Sequence, residues 1–150
     1  MGKIDIELIK KLREESGAPI IRVKKLLEEF GGDAQKALEV LKKEGFEKAE
    51  TRTERVTGQG KVFSYTHHTG KVVSVVELLC ETDFVAKNEL FETLGKEIAL
   101  QVASMGDTDV LDQDFIKDPS KKVSELVKAV IAKTGENIRI GRVFRVELGK

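Results

Sequence analysis

Val72-Val73-Ser74-Val75-Val76-Glu77-Leu78-Leu79-Cys80-Glu81-Thr82-Asp83-Phe84-Val85-Ala86 is the stretch on which the fold of this chain turns. Its first nine residues are β-branched and almost continuously apolar, the pattern of a strand buried in a core. From Phe84 to about Met105 the period changes. Leu90, Leu94, Ile98 and Val102 recur at helical spacing and predict one helix with a single apolar stripe. Thr82 and Asp83 lie between strand and helix, and either side chain can accept the free amide hydrogens of a first helical turn. Phe84 then falls in that first turn, at a corner. Two readings of it stay open: a staple residue packed beneath its own helix, or an aromatic pointing away from the core into a pocket on another protein.

On the N-terminal side, Lys61-Val62-Phe63-Ser64-Tyr65-Thr66 alternates like a strand. His67-His68-Thr69-Gly70 supplies the turn that joins it to Val72–Cys80, which makes a β-hairpin. On the C-terminal side, Asp107 to Ser120 is acidic and turn-rich, with Val110, Leu111, Phe115 and Ile116 as apolar anchors. A helix from Val123 to Thr134 turns Leu126, Val127, Val130 and Ile131 inward. After the turn Gly135-Glu136-Asn137, the residues Ile138, Ile140, Val143, Val146 and Leu148 form a last strand, in which Gly141 marks a bulge or bend. A three-stranded antiparallel sheet with helices on one face buries one core, so residues 60–150 read as an α+β unit.

Residues 1–46 read as a three-helix module. Asp5 caps a first helix whose apolar face is Ile6, Leu8, Ile9 and Leu12, and Ser16-Gly17-Ala18 breaks it. Pro19 suits the first turn of the second helix, where its missing amide hydrogen costs nothing. Val23, Leu26, Leu27 and Phe30 form the inner stripe, and Gly31-Gly32 ends it. Asp33 caps a third helix containing Ala34, Ala37, Leu38 and Leu41, with Gly45 as its expected stop. Residues 47–59 are strongly polar and read as a linker whose first half can prolong the third helix.

Lysine plus arginine and aspartate plus glutamate number 26 each, and the balance holds within the first 50 residues as well. A nucleic-acid binder driven by bulk charge is therefore not expected. The single cysteine, Cys80, rules out an intramolecular disulfide and reads as a buried, inert thiol in a reducing compartment. The N-terminal Met1-Gly2-Lys3-Ile4-Asp5-Ile6-Glu7 has no apolar signal region, and no segment is long and apolar enough to span a membrane. A cytoplasmic location is expected.

Residues for covalent chemistry are not found together. His67 and His68 are adjacent and point to opposite faces if extended, a poor metal pair without a cysteine or carboxylate cluster to complete it. Ser64 and Ser74 lack the strand-to-helix elbow of a nucleophile. Gly31-Gly32 and Gly58-Gln59-Gly60 lack the setting and the lysine of a phosphate loop. No cofactor, metal or bound nucleotide is expected, and the chain does not read as an enzyme. Arg13, Ile20, Ile21, Lys24 and Lys25 cluster near the first turn of the module. They are either a solvated basic edge with two core isoleucines or a mixed apolar and basic docking patch.

Three segments resemble the family of bacterial translation elongation factor Ts, the guanine-nucleotide exchange factor for elongation factor Tu. They are Leu12-Arg13-Glu14-Glu15-Ser16-Gly17-Ala18 with Lys24-Lys25 and Leu27, the stretch Glu77 to Lys87, and Gly135-Glu136-Asn137-Ile138. The resemblance implies a ubiquitin-associated-type N-terminal module, a linker and an α+β core. It further implies that Asp83 and Phe84, flanked by Thr82 and Val85, insert into the nucleotide-binding domain of elongation factor Tu. Arg13, Ile20, Ile21 and Lys24 are the implied contacts of the module with that same domain.

Pro19 and Ile20-Ile21 stand where the family usually has glycine and two methionines or similar residues, and Arg22 where a polar or acidic residue is common. Longer members carry a second core subdomain and a helical hairpin insert, for which this chain has no room; Asp107 to Ser120 stands where an insertion would be. Short members pair as homodimers, so a dimer is expected here through strand edges or sheet faces of the core. A rival reading is a ubiquitin-associated-type adaptor, although Gly17 is followed by Ala18-Pro19 rather than an aromatic. Another is an RNA-binding protein using Arg139, Arg142 and Arg145, which have no stacking aromatics beside them.

Overall fold

Asp5 accepts the Glu7 amide at 3.0 Å and starts α1 (Ile6–Ser16) in the computed structural model, which describes residues 5–150; the N-terminal reading of residues 1–4 lies outside them. Gly17, at φ 73°, takes the left-handed conformation that ends this helix. Pro19 stands one residue before α2 (Ile20–Glu29), in extended backbone, and not inside its first turn as expected. Asp33 caps α3 by accepting the Lys36 amide at 3.2 Å. Leu12, Val23, Leu26, Leu27, Ala37 and Leu41 close the small core of this module.

The expected stop at Gly45 does not occur, because α3 runs from Ala34 to Thr51 straight through it. The glycine serves close packing instead. A Cβ there would lie 3.0 Å from the Ala132 side chain, on a helix from the other end of the chain. The first residues of the expected linker are thus helical, and Ala49 is buried in the main core.

That core is built on a three-stranded antiparallel sheet in the order β1-β2-β5, with β1 spanning Gln59–Thr66, β2 Val72–Cys80 and β5 Ile138–Glu147. Ser74, Val76, Leu78 and Cys80 of β2 are buried on one face, as the period of two requires. The expected bulge is present. Val76 pairs with Val143 but Leu78 with Ile140, so β5 holds one extra residue at Gly141-Arg142, opposite Glu77.

The single helix expected from Phe84 to Met105 is two. A one-turn α4 (Asp83–Ala86) ends at Lys87, and Asn88 then caps α5 (Glu89–Met105) by accepting the Leu90 amide at 2.8 Å. Leu90, in the first turn of α5, is 39% exposed, and Phe91 fills the core with Leu94, Ile98 and Val102. Between α5 and α6 (Val123–Thr134), a short 3-10 turn and a small antiparallel pair, β3 (Asp114–Phe115) and β4 (Asp118–Lys122), occupy the acidic segment. Buried Gln101 ties that segment to α5. It donates to Gln113 Oε1 at 3.1 Å and the Asp114 carbonyl at 2.9 Å, and it accepts the Ile116 amide at 2.9 Å. The result is the expected α+β architecture, with α5 and α6 packed on one sheet face.

Gly95 of α5 crosses β1 so closely that a Cβ would lie 2.2 Å from the Phe63 ring. Alanine would add at most about 1 kcal/mol of helix propensity, whereas overpacking a closed core costs about 1–3 kcal/mol. The clash wins, so Gly95→Ala is expected to lower the melting temperature in a thermal scan. An unchanged or raised value would mean that the Phe63 ring has room to move.

Candidate functional site

The turn from β2 into α4 is held from outside itself. Thr82 is the N-cap, its hydroxyl accepting the Val85 amide at 3.4 Å, while Asp83 occupies the first helical position. Asp83 also lies 3.7 Å from Lys87, an exposed pair worth a few tenths of a kcal/mol at most. Val85 and Ala86 point inward and are buried. Phe84, next to them, is 83% exposed. It does not pack beneath its own helix, so the staple reading falls: an aromatic stands in solvent on a backbone that is anchored on both sides.

The anchors are side chains that the sequence reading passed over. One Glu136 oxygen accepts the amides of Glu81 at 3.1 Å and Thr82 at 2.9 Å, and the other accepts the Thr82 hydroxyl at 2.6 Å. Glu81 answers by accepting the Asn137 amide at 2.6 Å and by pairing with Arg55 at 3.6 Å. Asn137, itself buried, donates to the carbonyls of Thr53 and Arg55 at 3.3 and 2.9 Å. Cys80 is free and buried beneath the corner, with its thiol 3.1 Å from the Thr82 carbonyl. Burial pushes that thiol's pKa up, so it stays protonated and inert. In the sequence Gly135-Glu136-Asn137 is marked as a polar turn and as part of a family-like segment, neither of which assigns a role to its side chains.

On the module, Ile20 is 48% and Ile21 82% exposed, and Arg13 and Lys24 are exposed as well. The two isoleucines are therefore not core residues; Val23, Leu26 and Leu27 fill that role. Neighbouring Arg22 is committed to Glu44 in a bidentate pair, one arm of which is 3.0 Å, and it holds the Glu44 carboxyl below the usual carboxylate range. The module is seated on α6: a Cβ on Gly17 would meet the Lys133 Cα at 2.6 Å, and Lys128 pairs with Glu50 at 3.1 Å.

Comparison with known proteins gives one answer along the whole chain. Residues 81–150 match the family model described as Elongation factor TS. The protein named Elongation factor Ts of Leptospira biflexa serovar Patoc is 39% identical over 194 residues, covering 97% of this chain and 98% of the relative. Its namesakes in Thermotoga petrophila and Thermotoga maritima are 36% and 35% identical, each covering 99% of this chain and 98% of the relative.

The chain belongs to the elongation factor Ts family.

An alignment of 194 positions exceeds the chain's 150 residues by 44, so these relatives carry internal residues that it lacks. Family membership makes it a translation elongation factor. Among the described residues no helix is long and apolar enough to cross a membrane. His67 and His68 sit in the hairpin turn, rings 4.2 Å apart, with His67 Nδ1 2.8 Å from the Thr69 hydroxyl. The three strand arginines each have a protein partner: Arg139 donates to Thr57, Arg142 to Glu77, and Arg145 to Glu147 and the Ala103 carbonyl.

The sheet face turned away from the helices carries exposed Val62, Phe144 and Val146, beside half-buried Val73, Val75 and Leu79. At its centre Glu77 takes the Arg142 backbone amide at 2.8 Å and the guanidinium at 3.0 Å with each oxygen. These bonds hold the Glu77 carboxyl down at about 2. A carboxyl depressed in the folded state stabilises above its unfolded value, about 4.5, and loses that contribution as pH falls through the folded one. Glu77→Gln is expected to melt below the wild type at pH 6, with the gap closing between about pH 4.5 and 2. A gap that is the same at pH 2 as at pH 6 would remove the ion pair as its cause.

Proposed function

We propose that this chain promotes release of GDP from elongation factor Tu, with the Asp83-Phe84 corner entering the partner's nucleotide-binding domain and the Arg13, Ile20, Ile21 and Lys24 patch docking beside it. The observation that carries this reading is the 83% exposure of Phe84 in the first turn of a capped helix. Burying an aromatic that already stands in water, on a fixed backbone, gains apolar area at little ordering cost. Thr82 and Val85 flank the inserted pair, Thr82 as the cap and Val85 as its anchor in the core.

Exchange requires differential affinity. A factor that binds nucleotide-free elongation factor Tu more tightly than its GDP form weakens GDP by the same ratio, because the two equilibria share one cycle. GDP is held by backbone amides of a phosphate loop and by a magnesium ion. Wedging a ring between the partner's helices displaces the elements that orient those groups. The chain itself makes and breaks no covalent bond, needs no cofactor, and works where translation occurs, in the cytoplasm.

The adaptor reading is the weaker one. Its peptide-binding loop would be the one after α1, and here Gly17 in that loop is pressed onto the Lys133 backbone. A homodimer through the open sheet face fits the core. Its apolar side chains would cover one another about a two-fold axis, and the Glu77–Arg142 pair, satisfied within each copy, would leave no unpaired carboxylate at the centre of that face.

Release of a fluorescent GDP analogue from elongation factor Tu tests the reading. Phe84→Ala is expected to slow factor-stimulated release by about thirtyfold or more, the scale of a central interface aromatic. Its melting temperature should barely move. Full activity in this variant would sink the corner mechanism. In sedimentation, Phe144→Glu is expected to run as a monomer where the wild type runs as a dimer; two identical profiles would take the sheet face out of the interface.

A further inference from the structure

We propose that Glu136 is a positioning residue for nucleotide release: its carboxylate holds the Thr82-Asp83-Phe84 corner in the projecting conformation before any partner arrives. The inference rests on the corner mechanism proposed above and adds to it a residue 52 positions away from Phe84 in sequence. Within β2 and α4 the corner is held by the Cys80 thiol on the Thr82 carbonyl and by buried Val85 and Ala86. That leaves two of its backbone amides to find a partner elsewhere. The Glu81 and Thr82 amides lie past the end of the β2 ladder, and the partner they find is the Glu136 carboxylate.

The chain of bonds reaches into the helix itself. The Thr82 hydroxyl donates to Glu136 at 2.6 Å, which aims its remaining lone pairs at the Val85 amide, 3.4 Å away. A carboxylate is suited to this place because it accepts three hydrogen bonds with two oxygens and donates none. Its own backbone is fixed in turn. Gly135 ends α6 at φ 77° and donates to the Ile131 carbonyl at 2.8 Å, and the Gly135 carbonyl accepts from Arg55 at 3.2 Å. Asn137, next in sequence, is clamped by Glu81 and by the chain leaving α3. The corner is thus braced against α6, the helix on which the module also rests through Lys133 and Gly17.

Removing the carboxylate leaves two amides and a hydroxyl to be hydrated, and the turn then samples other directions. Only the fraction of molecules with a projecting Phe84 binds, so the apparent affinity falls by that fraction. The wedge is chemically unchanged, and enough factor restores its full effect. Glu136→Ala therefore differs in kind from Phe84→Ala: the first raises the factor concentration needed for half-maximal GDP release, the second lowers the maximal rate.

The experiment is a titration of elongation factor Tu, loaded with fluorescent GDP, by the wild type, Glu136→Ala, Glu136→Gln and Phe84→Ala. It is paired with amide hydrogen exchange at Glu81 and Thr82 in each free protein. Glu136→Ala is expected to raise the half-saturating concentration about tenfold or more, with the maximal rate within about twofold. Protection at Glu81 and Thr82 should be lost while β2 and α5 stay protected. Glu136→Gln keeps an oxygen for both amides and should recover most of the affinity. Half-saturation unchanged in a Glu136→Ala protein that has lost this protection would overturn the proposal. So would protection that survives the substitution, or a loss spread over the whole core that glutamine does not rescue. If Phe84→Ala releases GDP normally, the wedge reading fails and a role for Glu136 in positioning Phe84 fails with it. Phe84-dependent release with an unchanged half-saturation in Glu136→Ala overturns the positioning role alone. If the wild type releases no GDP, both the proposed function and a role of Glu136 in release are refuted.

Discussion

The pairing of Cys80 with Ile138 in the β2–β5 register is the constraint on which the rest of the molecule depends. It sets two chain reversals side by side at one end of the sheet: the entry to α4 and the exit from α6. Each reversal has backbone amides that its own strand cannot satisfy, and each supplies a carboxylate to the other. Buried or half-buried amides without partners cost about 1–3 kcal/mol apiece, so the two turns stabilise each other or neither is well formed. The projecting aromatic is a by-product of that mutual satisfaction, since Val85 and Ala86 face the core and Phe84 has nowhere to go but out.

A second constraint joins the N-terminal module to the core. Two glycines make it possible, Gly17 against the Lys133 backbone and Gly45 against Ala132, both on α6. Side chains at either place would hold the helices apart. The exposed ion pair between Glu50 and Lys128 adds little energy to this contact. The module's exposed isoleucines and the corner aromatic therefore sit on supports that share one helix.

The hairpin, its turn, α6 and the bulge at Gly141 were legible in the sequence because each rests on a local rule: period two, a turn motif, period 3.6, one extra glycine. The exposed corner was half legible. Capping residues placed Phe84 in a first turn, but whether it pointed in or out depended on Val85 and Ala86 filling the space beneath, which no local rule states. Asn88 was missed because a capping residue hidden in an apolar periodicity looks like one more polar position on a helix. Gly45 was misread because glycine both ends helices and lets them touch, and only the partner helix decides which. Glu136 could not be found at all by such rules. Its bonds are to residues 54 and 55 positions earlier, where no periodicity connects them.

Gln101 has a further meaning for how such a chain changes over generations. It lies buried with its amide group fully engaged by Gln113, Asp114 and Ile116, so the link from α5 to α6 is fastened to α5 at a buried point. Gln113 ties the loop to itself through the Gly106 and Thr108 carbonyls. The corner sits beyond the other end of α5, whose first residue Glu89 is about 18 Å from Gln101 by helical rise. The connection can thus shrink or grow as a detachable port, with the lock at Gln101 keeping the change from reaching the surface that partners would see. Length is free to drift at one pole of the molecule while geometry is held at the other.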